Sequence, residues 1–389
     1  MLTMREKQSL VLQVAKRYRQ GSKLEKTQIL SEFTKNTGYN RSYARRVLRN
    51  TKYQPGLHLR RKAKRNRPPT YDPTQILKPL TQLWDMSNFL CGKRLAPLIP
   101  DYLTVLRRDH VWGYPASIDA QLIKISPATI DRLLTPIRSR MTLKSRTTTK
   151  PGTLLKHQIP VRTWADWNEH IPGFFETDTV AFCGASLSGD FAWGLNMTDV
   201  CTGWVLLELC ENRGQYAVHQ GMKKMIRRLA YKVQGIDSDN GGEFINDILY
   251  RYCQDKQITF TRTRAGRKND NCYVEQKNFT CLRTFLGYAR IETEEQIQLS
   301  RKILALAEIF INFFQSSNKL LEKKRVGGRV TKRYDRAQTP YQRLLKAEIL
   351  SEAQKEQLSE VYSQHNPLEL TTQIRVLQGK LRRTTIVTI

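Results

Sequence analysis

The spacing of apolar residues changes along the chain, from a helical period in the first 137 residues to strand-like runs after residue 171. In the first part, apolar residues recur every three to four positions, as in a helix with one buried face. Between residues 174 and 262, short runs rich in β-branched and aromatic residues predict strands. Helical units should therefore precede an α/β domain.

Three helices are predicted within residues 1–56. The inner face of the first comprises Leu10, Val11, Val14 and Tyr18. Ser22 should cap the second and Gly38 end it, and its inner face comprises Leu24, Ile29, Leu30 and Phe33. Asn40 should cap the third, residues 41–49, with Tyr43, Val47 and Leu48 facing inward. This is a helix-turn-helix pattern.

The following segments alternate between basic linkers and a second helical unit. Residues 57–70 form a basic linker, and residues 71–137 a second, helix-turn-helix-like domain. Its last helix should begin with Ser126 as N-cap and Pro127 in the first turn. A structural helical domain is the alternative for this unit. Residues 138–170 are predicted as a second basic linker and the lead-in to the next domain.

Residues 171–318 are predicted to fold as one domain in the order β-β-β-α-β-α-β-α. Three consecutive strands with short links predict an antiparallel meander. A helix is expected over residues 243–254, and a long amphipathic helix over residues 293–318. The region 319–389 is basic: residues 319–333 are predicted as a loop that tracks DNA, and residues 373–389 have β-type content.

Charge adds the expectation of a polyanionic partner. Lys and Arg number 65 against 35 Asp and Glu, a net charge of +30, and residues 1–70 hold 19 of these cations against three acids. Double-stranded DNA is the predicted partner. The candidate contacts on the third helix are Arg41, Arg45, Arg46 and Arg49, and those on the linker are Arg60, Arg61 and Lys62. A solvated basic helix and a solvated linker are the alternatives.

The seven cysteines are scattered singly, without the spacing of a zinc site or a disulfide framework. No stretch of about 18 apolar residues exists for a membrane span, and the N-terminus lacks the pattern of a signal peptide. The expected location is the cytoplasm, with no membrane partner.

Three carboxylates carry the candidate chemistry. Asp178 lies in a predicted strand, Asp239 follows a short apolar strand, and Glu275 lies on a predicted helix. Carboxylates from two strand ends and a helix suit a pair of Mg²⁺ ions, which take oxygen ligands. Two such ions can clamp the attacking and leaving oxygens of a phosphoryl transfer. Phosphodiester cleavage or strand transfer is the predicted reaction.

Neighbouring acids compete for these roles. Asp237 shares the strand face of Asp239, but the position of Asp239 before Asn240-Gly241 favours Asp239. Glu243 is predicted to open a helix, where a carboxylate suits the helix dipole. His170 and His219 are available as general bases, although two metal ions make a side-chain base unnecessary.

Asp178, Asp239 and Glu275 resemble the DDE triad of the retroviral-integrase superfamily. The motif Ser-Asp-Asn-Gly-Gly-Glu-Phe surrounds the second Asp, and 35 residues separate Asp239 from Glu275, as in that family. The resemblance covers about residues 150–345, and over this range the chain is similar to bacterial insertion-sequence transposases. It implies an RNase H-like catalytic core. Further DNA contacts are expected at Arg267, Lys268 and Lys277, which neighbour the third carboxylate in sequence.

The resemblance implies a transposase or integrase that cuts the 3′ ends of its own mobile element and joins them to target DNA. Mg²⁺ or Mn²⁺, as two ions, is the implied cofactor. A homo-oligomer on DNA, associated with the bacterial nucleoid, is the implied assembly. The alternatives are a non-catalytic DNA-binding protein and a hydrolysis-only nuclease of the same fold. Phe182 and Tyr273 stand where the family often has His. Retroviral members carry an N-terminal zinc module with His and Cys ligands, but residues 1–57 of this chain contain neither His nor Cys, so helix-turn-helix units are expected in its place.

Overall fold

The chain forms two compact units, Met1–Thr70 and Tyr71–Ile389. The computed structural model describes residues 2–50, 71–139, 171–239, 241–263, 277–326 and 329–386.

The first unit is a bundle of three helices, α1 (Met4–Gln20), α2 (Lys23–Thr37) and α3 (Arg41–Asn50). Ser22 caps α2 in a capping box with Glu25. Gly38, with a φ of 68°, ends α2 in the left-handed conformation that glycine adopts without strain. Three residues thus separate α2 from α3, and the Asn40 side chain caps α3 by accepting from the Ser42 amide at 2.9 Å.

The bundle core differs from the prediction at two positions. Its buried side chains are Val11, Ala15, Tyr18, Ile29, Leu30, Phe33, Ala44 and Leu48. Leu24, predicted to face inward, is 74% exposed because it lies in the first turn of α2. Tyr43, also predicted inside, is 43% exposed. Ala44 is buried in place of Tyr43 and lies with Leu48, four residues further on, on the inner face of α3. Consecutive side chains on a helix point about 100° apart, so a shift of one position is enough to expose Tyr43.

The second unit begins with four helices, α4 (Pro73–Met86), α5 (Gly92–Arg108), α6 (Ala116–Lys124) and α7 (Pro127–Arg138). Ser126 caps α7, and Pro127 lies in its first turn, as predicted. These helices share one hydrophobic core with the following domain. The Tyr102 hydroxyl donates to the Phe314 carbonyl at 2.7 Å, and the Ser316 hydroxyl donates to the Arg94 carbonyl at 2.8 Å. The segment predicted as a separate domain, 71–137, is therefore packed into the same unit.

A five-stranded sheet forms the centre of the second unit. Its strands are β1 (Phe174–Ala181), β2 (Trp193–Asp199), β3 (Val205–Cys210), β4 (Gly235–Ser238) and β5 (Thr259–Arg262). Their order is β3-β2-β1-β4-β5. β1, β2 and β3 form the predicted antiparallel meander, and β4 and β5 add parallel to β1. Helices α8 (Gln215–Arg227) and α9 (Asp247–Asp255) connect the parallel strands. This confirms the predicted RNase H-like mixed sheet.

Helical segments follow the sheet. A π-helical turn, Asn278–Arg283, continues as α10 (Thr284–Leu286), and α11 (Glu294–Ile309) ends in a second π-helical turn, Phe310–Phe314. The long helix predicted over 293–318 therefore stops at Phe314.

The C-terminal region departs from prediction twice. The predicted loop 319–333 is a two-stranded antiparallel sheet, β6 (Leu320–Val326) and β7 (Arg329–Tyr334). Helices α12 (Pro340–Lys346), α13 (Glu352–Ser363) and α14 (Pro367–Ile386) follow. Residues 373–386 of the predicted β-type tail lie within α14. Leu370, Ile374 and Leu381 are buried at helical spacing there, so tertiary packing overrides the strand preference of Thr and Val.

Candidate functional site

Asp178 and Asp239 lie side by side at one edge of the sheet. In the parallel pair β1–β4, Thr177 is in register with Ser238. Asp178 is the next residue of β1, and Asp239 directly follows β4. Adjacent strands are about 4.8 Å apart, so the two carboxylates leave the sheet at the same point. The sequence alone placed these two residues on different strands, and the parallel register brings them together.

Asp178 is held by two hydrogen bonds. The Thr179 amide donates to its Oδ1 at 2.8 Å, and the Asn278 side-chain amide donates to its Oδ2 at 2.6 Å. Burial, followed by the negative charge of Asp239, raises the pKa of Asp178 to about 7, and the two hydrogen bonds oppose this increase. An acid with this pKa gains from a nearby cation, because the cation favours the ionised form.

Asp239 is fixed by the turn that follows it. The Gly241 amide donates to its Oδ1 at 2.8 Å. Burial and the charge of Glu243 raise the pKa of Asp239, whereas this hydrogen bond and the guanidinium of Arg213 lower it. The competing residue, Asp237, is fully buried within β4 and accepts a hydrogen bond from the Thr261 hydroxyl at 2.5 Å. Asp239, at the strand end, is only half-buried, so it is the more accessible of the two.

Glu243 is a member of this site that the sequence analysis assigned wrongly. It was predicted to open a helix, but α9 begins at Asp247. Its carboxylate is 2% exposed and accepts from Arg213 Nε at 2.7 Å and from the Thr179 hydroxyl at 3.1 Å. The signal for this role was its spacing, four residues after Asp239. The partner Arg213, from the loop before α8, had no recognisable motif.

Two asparagines extend the site toward the neighbouring strand. Asn196 on β2 is the register partner of Asp178, and its side-chain amide donates to the Asn278 carbonyl oxygen at 3.2 Å. The Thr198 hydroxyl donates in turn to the Asn196 carbonyl oxygen at 3.2 Å. A chain of side-chain hydrogen bonds thus runs from β2 through Asn278 to Asp178.

His219 is a packed side chain on α8. It is 8% exposed, and its ring lies edge-on to Tyr252 with the centroids 4.9 Å apart. Burial, with a smaller contribution from the charge of Lys223, lowers the pKa of His219, so the imidazole is neutral near pH 7. His170 lies outside the described residues.

Several predicted site residues also fall outside the parts of the chain that the structure describes. They are Glu275 and the candidate DNA contacts Arg60, Arg61, Lys62, Arg267 and Lys268. Lys277 is half-buried, and burial lowers the pKa of its ammonium group. The four arginines of α3, Arg41, Arg45, Arg46 and Arg49, are exposed, as predicted.

The described residues supply only part of a ligand set for a divalent cation. In those residues, no three acid, imidazole or thiol side chains are placed to hold a metal ion. Asp178 and Asp239 supply hard oxygen donors, and their pKa values are raised first by burial and then by neighbouring negative charge. A third donor, Glu275, is predicted by spacing. Asp178 and Asp239 therefore suit a metal ion, and Glu275 remains a predicted third ligand.

Comparison with known proteins identifies the family. The protein is 36% identical over 333 residues to the uncharacterized protein y4rM of Sinorhizobium fredii (strain NBRC 101917 / NGR234), covering 86% of this chain and 93% of y4rM. Residues 169–268 match the integrase core domain. The chain belongs to the integrase core family. The integrase core indicates a family of polynucleotidyl transferases, and the segment matched includes Asp178 and Asp239.

Three solved structures of retroviral integrases are among those similar to this chain. The catalytic core domain of BIV integrase is 16% identical, covers 45% of this chain and 95% of its own, and has a TM-score of 0.29. The integrase core of HTLV-2 in complex with magnesium is 14% identical, with coverages of 38% and 91% and a TM-score of 0.29. A chain of the simian T-cell lymphotropic virus intasome with PP2A regulatory subunit B56 gamma is 14% identical, with coverages of 55% and 69% and a TM-score of 0.32.

Across the described ranges, no helix combines the length and apolar character needed to cross a bilayer.

Proposed function

We propose that this protein is a DNA transposase or integrase that cleaves the 3′ ends of a mobile element and transfers them to target DNA. The observation that carries the proposal is the pair Asp178 and Asp239, set at neighbouring strand ends with raised pKa values. Like charges brought together in a buried site cost free energy unless a cation lies between them. Membership of the integrase core family supports the same chemistry.

Asp178, Asp239 and Glu275 are the proposed ligands of two Mg²⁺ or Mn²⁺ ions. When bound, the ions supply an acidified water and stabilise charge on the transferred phosphoryl group. Asn278 holds Asp178 in one orientation, and the Gly241 amide holds Asp239. Arg213 balances the charge of Glu243, which otherwise repels both aspartates.

The proposed reaction has two steps. Water attacks the phosphodiester at each element end, and the bond to the leaving 3′ oxygen breaks, which frees a 3′-OH. That hydroxyl then attacks a phosphodiester of target DNA, and a target 3′ oxygen leaves. One phosphodiester replaces another in the second step, so no external energy source is required. Two element ends must be held together, so we propose a homo-oligomer assembled on DNA.

The test uses the full-length protein with Mg²⁺ and end-labelled duplexes from the DNA that flanks its own gene, analysed on a denaturing gel. A transposase nicks at one position near each terminus and then forms joined products of higher mass. Asp178→Asn, Asp239→Asn and Glu275→Gln should abolish both products with DNA affinity retained. Asp255→Asn, an exposed acid on α9, is the matched control and should behave as wild type.

Other outcomes distinguish the alternatives. Shortened strands without joined products would replace the proposal by a hydrolysis-only nuclease. Tight binding with no cleavage in Mg²⁺ or Mn²⁺ would favour a DNA-binding protein without catalytic activity. Loss of DNA binding in all three variants would contradict the assigned roles of the carboxylates.

A further inference from the structure

The β6–β7 ribbon, residues 320–334, stands apart from the hydrophobic core. Every side chain that the structure describes in it is exposed, on both faces. This includes apolar groups: Leu321 is 60% exposed and Tyr334 is 50% exposed. A two-stranded hairpin without a packed face is marginally stable in water. Its exposure on both sides indicates a surface that binds a partner.

The base of the ribbon, in contrast, is firmly attached. The Lys319 amide donates to Asp335 Oδ1 at 2.6 Å, and the Asp335 amide returns a hydrogen bond to the Lys319 carbonyl at 3.0 Å. Asp335 also forms an ion pair with Arg343 at 2.6 Å, in which both side chains are at most 15% exposed. These contacts hold the base of the ribbon in place.

Charge determines the class of partner. The ribbon contains six Lys and Arg residues against a single acid, Glu322. The strand register sets Lys323 opposite Lys332. Lys324, Lys332 and Arg333 are exposed, so their charges are open to an anionic partner. A second copy of this chain, with a net charge of +30, is a poor match, whereas DNA is a polyanion.

The shape fits the same partner. The major groove of B-DNA, about 12 Å wide, admits a two-stranded β-ribbon. A ribbon with cations on both faces can contact the phosphates on both sides of the groove at once. In this register, Lys332 and Tyr334 share one face, and Lys324 and Arg333 lie on the other.

The ribbon is attached at the end of the sheet opposite the carboxylates. Lys319 Nζ donates to the Val200 carbonyl at 2.8 Å, and the Val200 amide donates to the carbonyl of Phe174, the first residue of β1. Asp178 lies four residues further along β1, about 13 Å away along the strand. DNA bound by the ribbon is therefore held at a distance from the bond that reacts.

We propose that the β6–β7 ribbon enters the major groove of double-stranded DNA and forms a second DNA-binding site, separate from the carboxylate site. It holds duplex DNA that flanks the reacting phosphodiester, or a second duplex. The role of this contact in strand transfer rests on the proposed function, but the binding itself does not.

The test compares the full-length protein with the variant Lys324→Gln/Lys332→Gln/Arg333→Gln. The probe is a fluorescent 30-bp duplex of random sequence, and the dissociation constant is measured at several NaCl concentrations. Each lost phosphate contact should reduce the slope of log affinity against log salt by about 0.9, so the slope of the variant should be smaller by up to about 2.7 and its affinity should fall most at the lowest salt. The control Lys232→Gln/Arg251→Gln/Lys256→Gln removes three exposed cations from the same unit and should change the slope by less.

A ribbon variant with the wild-type slope, or with no larger change than the control, would overturn the inference. A ligand that fills the major groove should abolish the difference between wild type and ribbon variant, whereas a minor-groove ligand should preserve it. The reverse result would also overturn the proposal. If the wild type neither nicks nor joins DNA, the proposed function fails. The salt dependence of DNA binding still tests the ribbon proposal independently. All six tryptophans lie after residue 70, so their fluorescence verifies that the second unit of each variant is folded.

Discussion

Asn278 donates its side-chain amide to Asp178 at 2.6 Å, across 100 residues of chain. Asn278 lies three residues after Glu275, and residues three apart lie on the same face where a helix continues. The helix predicted to carry Glu275 would thus present Asn278 and Glu275 toward the same carboxylate. This relationship makes Asn278 a positioning residue for the proposed metal site.

Replacing Asn278 by Ala should lower the rate of DNA nicking about 10- to 100-fold, since residues that orient metal ligands typically contribute by this factor. The Mg²⁺ concentration for half-maximal activity should rise, with binding to duplex DNA unchanged. Asn36→Ala, at an exposed position on α2, is the control. Two results together would contradict the positioning role: the variant stays inactive at saturating Mg²⁺ or Mn²⁺, and the metal concentration for half-maximal activity is unchanged.

Asp178 should make the metal-free protein less stable as pH rises. Its pKa is about 7 in the folded protein and near 3.8 when unperturbed, so the folded state binds more protons between these values. The contribution of Asp178 to the free energy of unfolding is therefore complete below about pH 4, falls as the pH rises toward 7, and levels off above pH 7. Relative to Asp178→Asn, the wild type should lose about 2 kcal/mol between pH 5 and 8, a figure reduced for solvent screening of a half-buried group.

The measurement is urea unfolding followed by tryptophan fluorescence, which reports on the second unit alone. Mg²⁺ should restore stability at pH 8 in the wild type and have less effect in Asp178→Asn. Parallel pH profiles of the free energy of unfolding for the two proteins would contradict a raised pKa at Asp178.

The fold was predictable where local signals agree with tertiary packing. Ser22, Gly38 and Ser126 mark helix ends by their own side-chain or backbone properties, and the structure confirms each one. The strands of the sheet are likewise visible in the sequence, because residues 174–262 contain short runs rich in β-branched and aromatic residues.

The remainder depends on contacts between distant residues. The ion pair of Arg213 with Glu243 joins positions 30 residues apart, and no spacing rule specifies it. The β-type content predicted for residues 373–389 gives way to a helix over Pro367–Ile386, in which Leu370 and Ile374 are buried. Residues 319–333 are basic and contain glycine, which predicts a loop, whereas the structure forms the β6–β7 ribbon there.

The ion pair between Arg213 and Glu243 should be asymmetric in its contribution to stability. Glu243 is 2% exposed and Arg213 is 30% exposed. Arg213→Gln leaves a buried carboxylate beside Asp239 and should cost about 3 kcal/mol. Glu243→Gln leaves a cation that water can reach, so it should cost only about 1 kcal/mol. A double-mutant cycle by urea unfolding measures the coupling, and equal costs for the two single variants would contradict this account.

The arginines of α3 provide a separate test of DNA recognition by the first unit. Arg41 donates to the Ser31 hydroxyl at 3.0 Å, and the Arg46 guanidinium lies 5.2 Å from the Tyr43 ring centroid, so both are already engaged within the protein. Arg45 and Arg49, also exposed, are the better candidates for DNA contact.

Arg45→Gln and Arg49→Gln should each weaken DNA binding, and the sequence dependence of the effect separates two modes. A phosphate contact weakens binding to all duplexes and lowers the salt slope by about 0.9, whereas a base contact costs about 1–3 kcal/mol on the element's terminal sequence alone. Binding titrations on terminal and random duplexes measure both, with Lys23→Gln on α2 as the control. If neither arginine alters binding to either duplex, α3 is a solvated basic helix, and the positive charge of the first unit must act through other residues.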